Sequence, residues 1–371
     1  MPKNASIVVF TFMLVVFALS LPVAEASTVN EDDQIKLFEK AIQENPDIAA
    51  VTTWFGSPEY LVKRYNAGKA EADIAWQKHQ AEIRKIEDLG STRTLSVIPL
   101  IDLHTADEKF AGEIGVSYLI KTDKSTILFD VGNNDKQTDP SPLLHNIKLL
   151  GLDTDDFDTI FISHNHRDHV GGQMWESQKT FSLGNKQISL SDKEVLTPIP
   201  MTYPGLSPTT AQQPRKISAG VATTGVITNN FFFVGLTAEQ AVCVNVAGKG
   251  IVLIVGCGHQ SLPKLLARVE RLFNEPIYGL IGGLHYPATD SRATVKGIKV
   301  QMYIGTGKKP WEPLTMEDVR NNINLLKKQN PGIVAISPHD SCDTSIDEFR
   351  KAFGARYRDI KVGEPIVVGT Y

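Results

Sequence analysis

The chain has 371 residues, of which 42% are hydrophobic and 22% charged, and its formal net charge is −4. This is the composition of a globular protein with enough apolar material for one large domain or two small ones, and it excludes collagen, coiled coil and wholesale disorder. No cluster of lysine and arginine alternates with aromatic residues, so we expect no nucleic-acid partner.

Residues 1–26 have the pattern of a secretory signal peptide. Lys3 supplies a short positive region, an uncharged apolar run follows, and Ala24-Glu25-Ala26 forms a small-x-small cleavage site. The alternative is an uncleaved membrane anchor, because the run approaches the length that spans a bilayer. Pro22 and the cleavage pattern favour removal. We therefore predict a mature protein that begins at Ser27, is exported to the periplasm or secreted, and has no stable membrane anchor.

Residues 27–93 are predicted to form a helical N-terminal extension. Asn30 is a candidate N-cap of a first helix, which is predicted to end at Asn45. A second helix is predicted from about residue 71 to residue 89, where apolar residues are spaced by seven and three. The extension holds no candidate metal ligand, so we expect it to be dispensable for metal binding.

From residue 94 to residue 371 the pattern changes to short apolar runs separated by helical segments. The predicted strands include LSVIPLIDL, GVSYLIK, TILFDVG, TIFIS and AVCVNVAGKGIVLIVGCG, the last with a hairpin turn at Gly248-Lys249-Gly250. Strands that end in ligand-type residues, with helices between them, indicate layered sheets flanked by helices. Residues 173–238 are rich in Pro, Thr and Ser, and we predict a long loop or cap there.

The segment SHNHRDHVGG places four metal-seeking side chains directly after an apolar strand. They are His164, His166, Asp168 and His169. Imidazole and carboxylate together suit zinc, iron or manganese. The alternating spacing predicts two adjacent metal sites, because ligands at alternate positions of one turn can point to opposite sides of it. A chance polar loop is the alternative, but four such groups are costly unless they bind something.

The three cysteines, Cys243, Cys257 and Cys342, are too few to form a disulfide framework, and their number is odd. Folding is therefore expected to depend on the apolar core, with a bound metal as a further contribution. Cys257 lies two residues before His259 in VGCGHQ, at the end of an apolar strand. Its side chain is either a metal ligand or an ordinary buried thiol.

The segment SHNHRDHVGG, with ILFDVGNN upstream, resembles the metallo-β-lactamase fold superfamily. Further stretches are similar to its branch of dihydropterin ribofuranosylaminobenzene-phosphate synthase-like metal-dependent hydrolases: AGVATTGVI, AEQAVCVNVAGKGIVLIVGCGHQSL, YGLIGGLHYP and ISPHDSC. The resemblance covers about residues 95–371. It implies an α/β fold with four αβ/βα layers and one or two metals at the sheet edges. Branch members usually carry histidine where this chain has Ile114.

The resemblance also implies roles for the candidate ligands. His164 and His166 would hold a first metal ion, and Asp168 and His169 a second. Many superfamily members have a bridging aspartate at the strand end where this chain offers only Cys257 and His259. We predict a functional role for His259.

Two further histidines compete for the last ligand position. His285 follows the apolar run YGLIGG, and His339 follows VAISP, so both lie where a strand meets a loop. One is predicted to be a metal ligand, and the other to orient a ligand or contact the substrate.

The implied activity is hydrolysis by a metal-activated water. Zinc, as one or two ions, with iron or manganese as alternatives, lowers the pKa of bound water to ~7 and polarises a carbonyl or phosphoryl oxygen. Asp168 is the predicted catalytic residue, which orients the nucleophile or accepts its proton. The predicted substrate is a small ester, lactone, amide or phosphoester, and the alternative function is a non-catalytic, sensory metal- or ligand-binding protein.

Residues 173–238 are expected to form one wall of the substrate pocket. The candidates are Trp175, Tyr203 and the aromatic run NNFFFVG at residues 229–235. Packing in an ordinary core is the alternative for these aromatic side chains. The sequence carries no signal of an oligomeric state.

Overall fold

A computed structural model of the protein describes residues 29–190 and 192–370, so the signal-peptide prediction for residues 1–26 lies outside the described residues. The helices are α1 (Glu31–Glu44), α2 (Pro46–Phe55), α3 (Pro58–Glu82), α4 (Pro142–Leu149), α5 (Arg167–Val170), α6 (Gln173–Ser177), α7 (Leu262–Leu272), α8 (Met316–Lys328) and α9 (Asp343–Phe353). Within these ranges, none of the helices has the length and apolar character needed to cross a membrane.

The strands are short and run through most of the chain after the first three helices. They are β1 (Thr94–Ile101), β2 (Ser117–Thr122), β3 (Thr126–Phe129), β4 (Thr159–Phe161), β5 (Glu194–Thr197), β6 (Thr209–Thr210), β7 (Arg215–Ser218), β8 (Val221–Thr223), β9 (Ile227–Phe231), β10 (Gly235–Glu239), β11 (Val242–Val246), β12 (Gly250–Val255), β13 (Ile277–Gly282), β14 (Thr294–Val295), β15 (Ile298–Lys299), β16 (Ile333–Ile336) and β17 (Ile366–Gly369).

Two mixed sheets form the centre of the fold. The first has the order β17-β1-β2-β3-β4-β5-β6, and the second has the order β16-β13-β12-β11-β8-β7. Strands β3 to β6 are parallel in the first sheet, as are β12, β13 and β16 in the second. The carboxyl ends of parallel strands lie at the same edge of a sheet, so the loops after these strands converge. Strands β11 and β12 pair as the predicted hairpin.

Successive side chains of a strand pack in different apolar layers, because they point to opposite faces of the sheet. In β12, Val252 and Ile254 pack in the cluster between the two sheets, whereas Ile251, Leu253 and Val255 pack in the cluster that includes helices α7, α8 and α9. Helix α4 packs with the opposite face of the first sheet. The structure therefore has the predicted four αβ/βα layers.

The N-terminal extension contains three helices instead of the two predicted. Helix α1 begins after Asn30, as predicted, and the Asn30 side chain accepts a hydrogen bond from Asp33 N at 2.9 Å. The prediction of a helix over residues 71–89 was wrong in both bounds, because α3 begins at Pro58 and ends at Glu82. Asn45 ends α1 and also caps α2, so a single residue marked both boundaries.

The extension shares apolar clusters with the rest of the chain. Phe38 and Leu61 pack in one cluster with Phe232 and Phe233, and Ile83 belongs to the cluster of the second sheet. The division of the chain at residue 93 stays a prediction.

The prediction of a long loop over residues 173–238 was wrong. The segment holds α6 and strands β5 to β9, followed by most of β10. These strands have two to five residues each, which is too short for a periodic hydrophobic pattern to be visible in the sequence.

Candidate metal centre

Four chain segments meet at one edge of the two sheets. The turn 164–169 follows β4, Cys257 and His259 follow β12, His285 follows β13, and His339 follows β16. Their donor atoms form three overlapping groups in which all atoms lie within 4.8 Å of one another: His164, His166 and His259; Asp168, His169, Cys257 and His339; and Cys257, His259 and His285. The structure thus brings together every sequence-predicted site residue and also Cys257.

Gly171 allows the chain to reverse its direction at the end of the turn that follows β4. Helix α5 ends at Gly171, whose φ of 93° is in the left-handed region. A Cβ atom at this position would lie 2.2 Å from Ser182 O, so only glycine fits there. The compact turn places the His164 ring centroid 4.5 Å from that of His166 and 4.1 Å from that of His169.

The first group consists of three neutral imidazoles. Burial lowers the pKa of His166 to about 4 and lowers the pKa values of His164 and His259 well below the usual value. Among the described residues, His164 Nε2 and His259 Nδ1 have no hydrogen-bond partner, although both atoms are buried. Buried, unpaired imidazole nitrogens are costly, and they are the ligands that zinc prefers. This group therefore fits a divalent metal.

The second group surrounds the Cys257 thiol. Cys257 Sγ lies 3.1 Å from His169 Nε2 and 3.2 Å from His339 Nε2, and His169 Nε2 lies 3.7 Å from Asp168 Oδ2. Burial raises the pKa of Cys257 well above its usual value. Burial alone would lower the pKa of His169, but the carboxylates of Asp168 and Asp130 outweigh it and raise this pKa to about 9. A cation that binds here displaces protons from both groups.

Asp130 orients two of the histidines. Its carboxylate accepts hydrogen bonds from Ser163 Oγ at 2.7 Å and pairs with His169 Nδ1 at 2.7 Å. Ser163 Oγ in turn lies 2.9 Å from His164 Nδ1. Because Nδ1 of both rings is engaged on the outside, Nε2 of both rings faces the centre, as is usual for metal-binding histidines.

Hydrogen bonds through Ser337 and Asp102 orient the ring of His339. Its Nδ1 lies 2.6 Å from Ser337 Oγ, which donates to Asp102 Oδ2 at 2.6 Å. Tyr118 also donates to this carboxylate at 2.8 Å. Burial raises the pKa of Asp102 to about 6.

Glu239 holds the turn that carries Cys257 and His259. Its carboxylate accepts hydrogen bonds from the backbone N–H groups of Cys257 at 3.1 Å, Gly258 at 3.1 Å and His259 at 2.6 Å. Burial raises the pKa of Glu239 to about 7. Sequence reasoning missed both Glu239 and Asp130 as positioning residues. Asp130 had a signal, since a lone acidic residue ends the apolar run TILF, whereas no pattern marks Glu239.

The structure places both competing histidines, His285 and His339, in candidate ligand groups. His339 lies in the second group with Asp168 and His169. His285 lies beside Cys257 and His259, with its Nε2 3.0 Å from Ile304 O and its backbone at a φ of 51°. Coordination of a metal by these side chains stays a prediction.

A cavity of about 1430 Å³ opens onto the centre and is lined by His166, Asp168, His259 and His285. Of the aromatic side chains predicted to form its wall, Phe231 lines it. Trp175 and Tyr203 instead pack in the cluster of the first sheet, and Phe232 and Phe233 pack with the N-terminal helices. The predicted wall was therefore wrong for most of its members, which are core residues.

Comparisons with known proteins agree with this architecture. A family model of the metallo-β-lactamase superfamily matches residues 111–180, which include the ligand-rich turn. The crystal structure of a metal-dependent hydrolase of the β-lactamase superfamily aligns with a TM-score of 0.50 at 19% identity, over 74% of this chain and 100% of that chain. The chain therefore has the metallo-β-lactamase fold, and residues 111–180 are similar to that superfamily. This confirms the fold class and the resemblance to the superfamily that were predicted from the sequence.

Two relatives that are similar in sequence to this chain come from Methanocaldococcus jannaschii. One is a 7,8-dihydropterin-6-methyl-4-(β-D-ribofuranosyl)-aminobenzene-5′-phosphate synthase, 25% identical over 255 residues, which make up 56% of this chain and 85% of that protein. The other is an uncharacterised protein, 25% identical over 212 residues, or 50% of this chain and 77% of that protein. The similarity to the synthase supports the branch to which the sequence was assigned.

Proposed function

We propose that the protein is an exported, metal-dependent hydrolase of a small ester, lactone, amide or phosphoester. The observation that carries this proposal is the juxtaposition of two adjacent ligand groups with one large cavity. Two such groups suit two zinc ions, with iron or manganese as alternatives. A bound divalent metal would supply the Lewis acidity that activates water and polarises the scissile carbonyl or phosphoryl group.

Asp168 has the properties of a proton acceptor in this site. Burial would raise the pKa of its carboxyl group, but the neighbouring His169, His339 and His166 outweigh burial and lower it. Asp168 is therefore an anion at neutral pH, and it lines the cavity. It can orient a water molecule and accept its proton.

Ile114 favours a hydrolase over the synthase of the related protein. Ile114 lines the cavity at the position where members of that branch usually carry histidine. An isoleucine side chain can neither donate nor accept a proton, so this wall lacks the group that the branch has there. Export, which the pattern of residues 1–26 supports, would also separate the protein from intracellular cofactor assembly.

The function is tested with His166→Ala and Asp168→Asn, and with His104→Ala and Asp155→Asn as controls at exposed positions outside the cavity. Turnover is measured on a panel of lactone, phosphodiester and β-lactam substrates, and bound metal by elemental analysis. We expect His166→Ala to lose metal and activity together, and Asp168→Asn to lose turnover even where the first ion stays bound. Full metal and full activity in both variants would contradict the proposal. Ligand binding without any turnover would identify a binding protein instead.

Export is tested by the intact mass of the protein isolated from its native compartment. The expected species begins at Ser27, after the Ala24-Glu25-Ala26 site. A species that retains residues 1–26 would contradict this part of the proposal and leave the hydrolase assignment untouched.

A further inference from the structure

The N-terminal extension reaches the cavity of the metal centre. Trp54 and Phe55, the last two residues of α2, line the same cavity as Asp168 and His259. Trp54 is 38% exposed, so more than a third of this large apolar residue is accessible to solvent. The sequence did not predict that the N-terminal extension reaches this site.

Two more exposed apolar side chains line this cavity. Val234, between β9 and β10, is 39% exposed, and Val295, in β14, is 38% exposed. With Trp54 and Phe55 they form an apolar wall, defined here as Trp54, Phe55, Val234 and Val295. The cavity is also lined by polar side chains of the metal centre, such as His166 and Asp168, and by the apolar Ile114 and Phe231, so polar and apolar groups both line it.

The apolar wall is held rigidly to the rest of the molecule. The ring centroids of Phe55 and Phe233 lie 5.5 Å apart, and Arg64 of α3 donates to Phe232 O at 3.3 Å. Asn230 Nδ2 donates to Tyr65 O at 2.9 Å. These contacts fix the extension against β9 and the residues after it.

The same strand contacts the metal centre. Asn229 Nδ2 donates to His259 O at 2.9 Å, and the ring centroids of Phe231 and His259 lie 5.0 Å apart. On the other side, Ile298 packs with the N-terminal helices, and the segment after it leads to Ile304, whose carbonyl contacts His285. The wall and the candidate ligands are therefore both in contact with β9 and the residues after it.

We propose that the apolar wall binds an uncharged alkyl or aryl group of the substrate while the scissile bond lies at the metal centre. This inference rests on the proposed hydrolase function. The cavity of about 1430 Å³ exceeds the ≈ 300–1,000 Å³ of typical ligand pockets, so it has room for a group beyond the reacting one. An exposed indole and its apolar neighbours gain free energy when such a group removes them from water.

The proposal is tested by binding of alkyl hydroxamates to the zinc-loaded full chain, measured by calorimetry. The hydroxamate group ligates the metal, and the alkyl tail reports on the wall. From acetohydroxamate to octanohydroxamate we expect the affinity to rise about threefold to fourfold per buried methylene. Trp54→Ala should weaken octanohydroxamate binding about tenfold, the equivalent of ~1.4 kcal/mol, and leave acetohydroxamate binding unchanged. Trp54→Phe should retain most of the octanohydroxamate affinity.

Ile74→Ala is the matched control, since Ile74 is an exposed apolar residue of the same extension that does not line the cavity. Ile74→Ala should leave the affinities for acetohydroxamate and octanohydroxamate unchanged. Equal affinity for all chain lengths, or an equal effect of Trp54→Ala on both hydroxamates, would overturn the inference.

A second series separates this inference from the proposed function. Binding of 1-butanol and 1-octanol to the chelator-treated protein reports on the wall without a metal. Suppose that acetohydroxamate fails to bind the zinc-loaded protein while 1-octanol still binds in a Trp54-dependent way. The proposed function is then wrong, and the inference that the apolar wall binds an uncharged group is retained. If 1-octanol binding is the same in Trp54→Ala as in the unaltered chain, the wall is refuted.

Discussion

At the scale of single residues, Cys257 is shared by two of the three candidate ligand groups. It belongs to the group of Asp168, His169 and His339 and also to the group of His259 and His285. A thiolate is softer than the carboxylate that many superfamily members have at this strand end, and it selects metals such as zinc over harder cations. Cys257 would therefore bear on both the number and the identity of the ions that this centre binds.

Replacing the Cys257 side chain should remove one metal ion. We expect Cys257→Ala to bind one zinc per chain where the unaltered chain binds two, because the first group of three histidines stays intact. Metal per chain is measured by elemental analysis after dialysis. Cys243→Ala is the control, since Cys243 is a buried thiol in the core of the second sheet; it should lose stability and keep two ions. Two ions in Cys257→Ala would refute a ligand role for the thiol.

Proton release should distinguish the two ligand groups. The second group must lose protons from Cys257, whose pKa is raised by burial, and from His169, whose pKa is raised to about 9, so its metal affinity rises with pH through that range. His166, with a pKa of about 4, is already neutral at pH 6, and so are the other rings of the first group. Calorimetry in two buffers of different ionisation enthalpy should show proton release for one ion and almost none for the other. Equal release for both ions would contradict the assignment.

At the scale of elements, the contact between α3 and β9 connects the extension to the metal centre. The two elements approach closely at Gly68, where a Cβ atom would lie 2.5 Å from Asn230 Oδ1. Asn230 also bonds to Tyr65 O, and its neighbour Asn229 bonds to His259 O. A side chain at residue 68 would therefore push apart the surfaces that position His259.

The effect of Gly68→Ala on the free energy of unfolding should depend on the residue at position 230. In the unaltered chain we expect it to destabilise the fold by about 1–2 kcal/mol, because the cost of overpacking exceeds the gain in helix propensity of about 1 kcal/mol. In an Asn230→Ala background the clash is absent, so the same change should stabilise the fold by up to about 1 kcal/mol. Urea unfolding of the four proteins measures both steps. A destabilisation of the same size in both backgrounds would show that Asn230 is not the cause.

At the scale of the whole molecule, the metal centre connects the two sheets. The turn 164–169 follows β4 of the first sheet, whereas Cys257, His259 and His339 follow strands of the second. The first group (His164, His166 and His259) and the second group (Asp168, His169, Cys257 and His339) therefore each take members from both sheets. A metal held in this way binds the folded state only, and its binding free energy adds to the free energy of unfolding.

Metal removal should lower the melting temperature. At a free zinc concentration about 1,000 times Kd, one ion contributes about 4 kcal/mol to the free energy of unfolding. Treatment with a chelator should remove this contribution, and added zinc should restore it, as measured by thermal unfolding. The control is His166→Ala, which should respond to the chelator less than the unaltered chain. A melting temperature that is indifferent to the chelator would show that the centre does not hold a metal in the folded protein.

The candidate ligands were predictable to different degrees. His164, His166, Asp168 and His169 lie in one short turn, so their proximity follows from chain connectivity alone. The two positioning carboxylates, Asp130 and Glu239, could not be assigned in this way, because each acts on residues far from it along the chain.

The sequence by itself determined the fold class, the resemblance to the metallo-β-lactamase superfamily and the ligand-rich turn, because these depend on local patterns of apolar and metal-seeking residues. Tertiary structure alone decided that His339 completes the second group and that Cys257 lies between His169 and His339. It also decided that Trp54 lines the cavity. The physical reason is that each of these outcomes depends on how separate strands and helices pack, and contacts between distant segments leave no periodic trace in the chain.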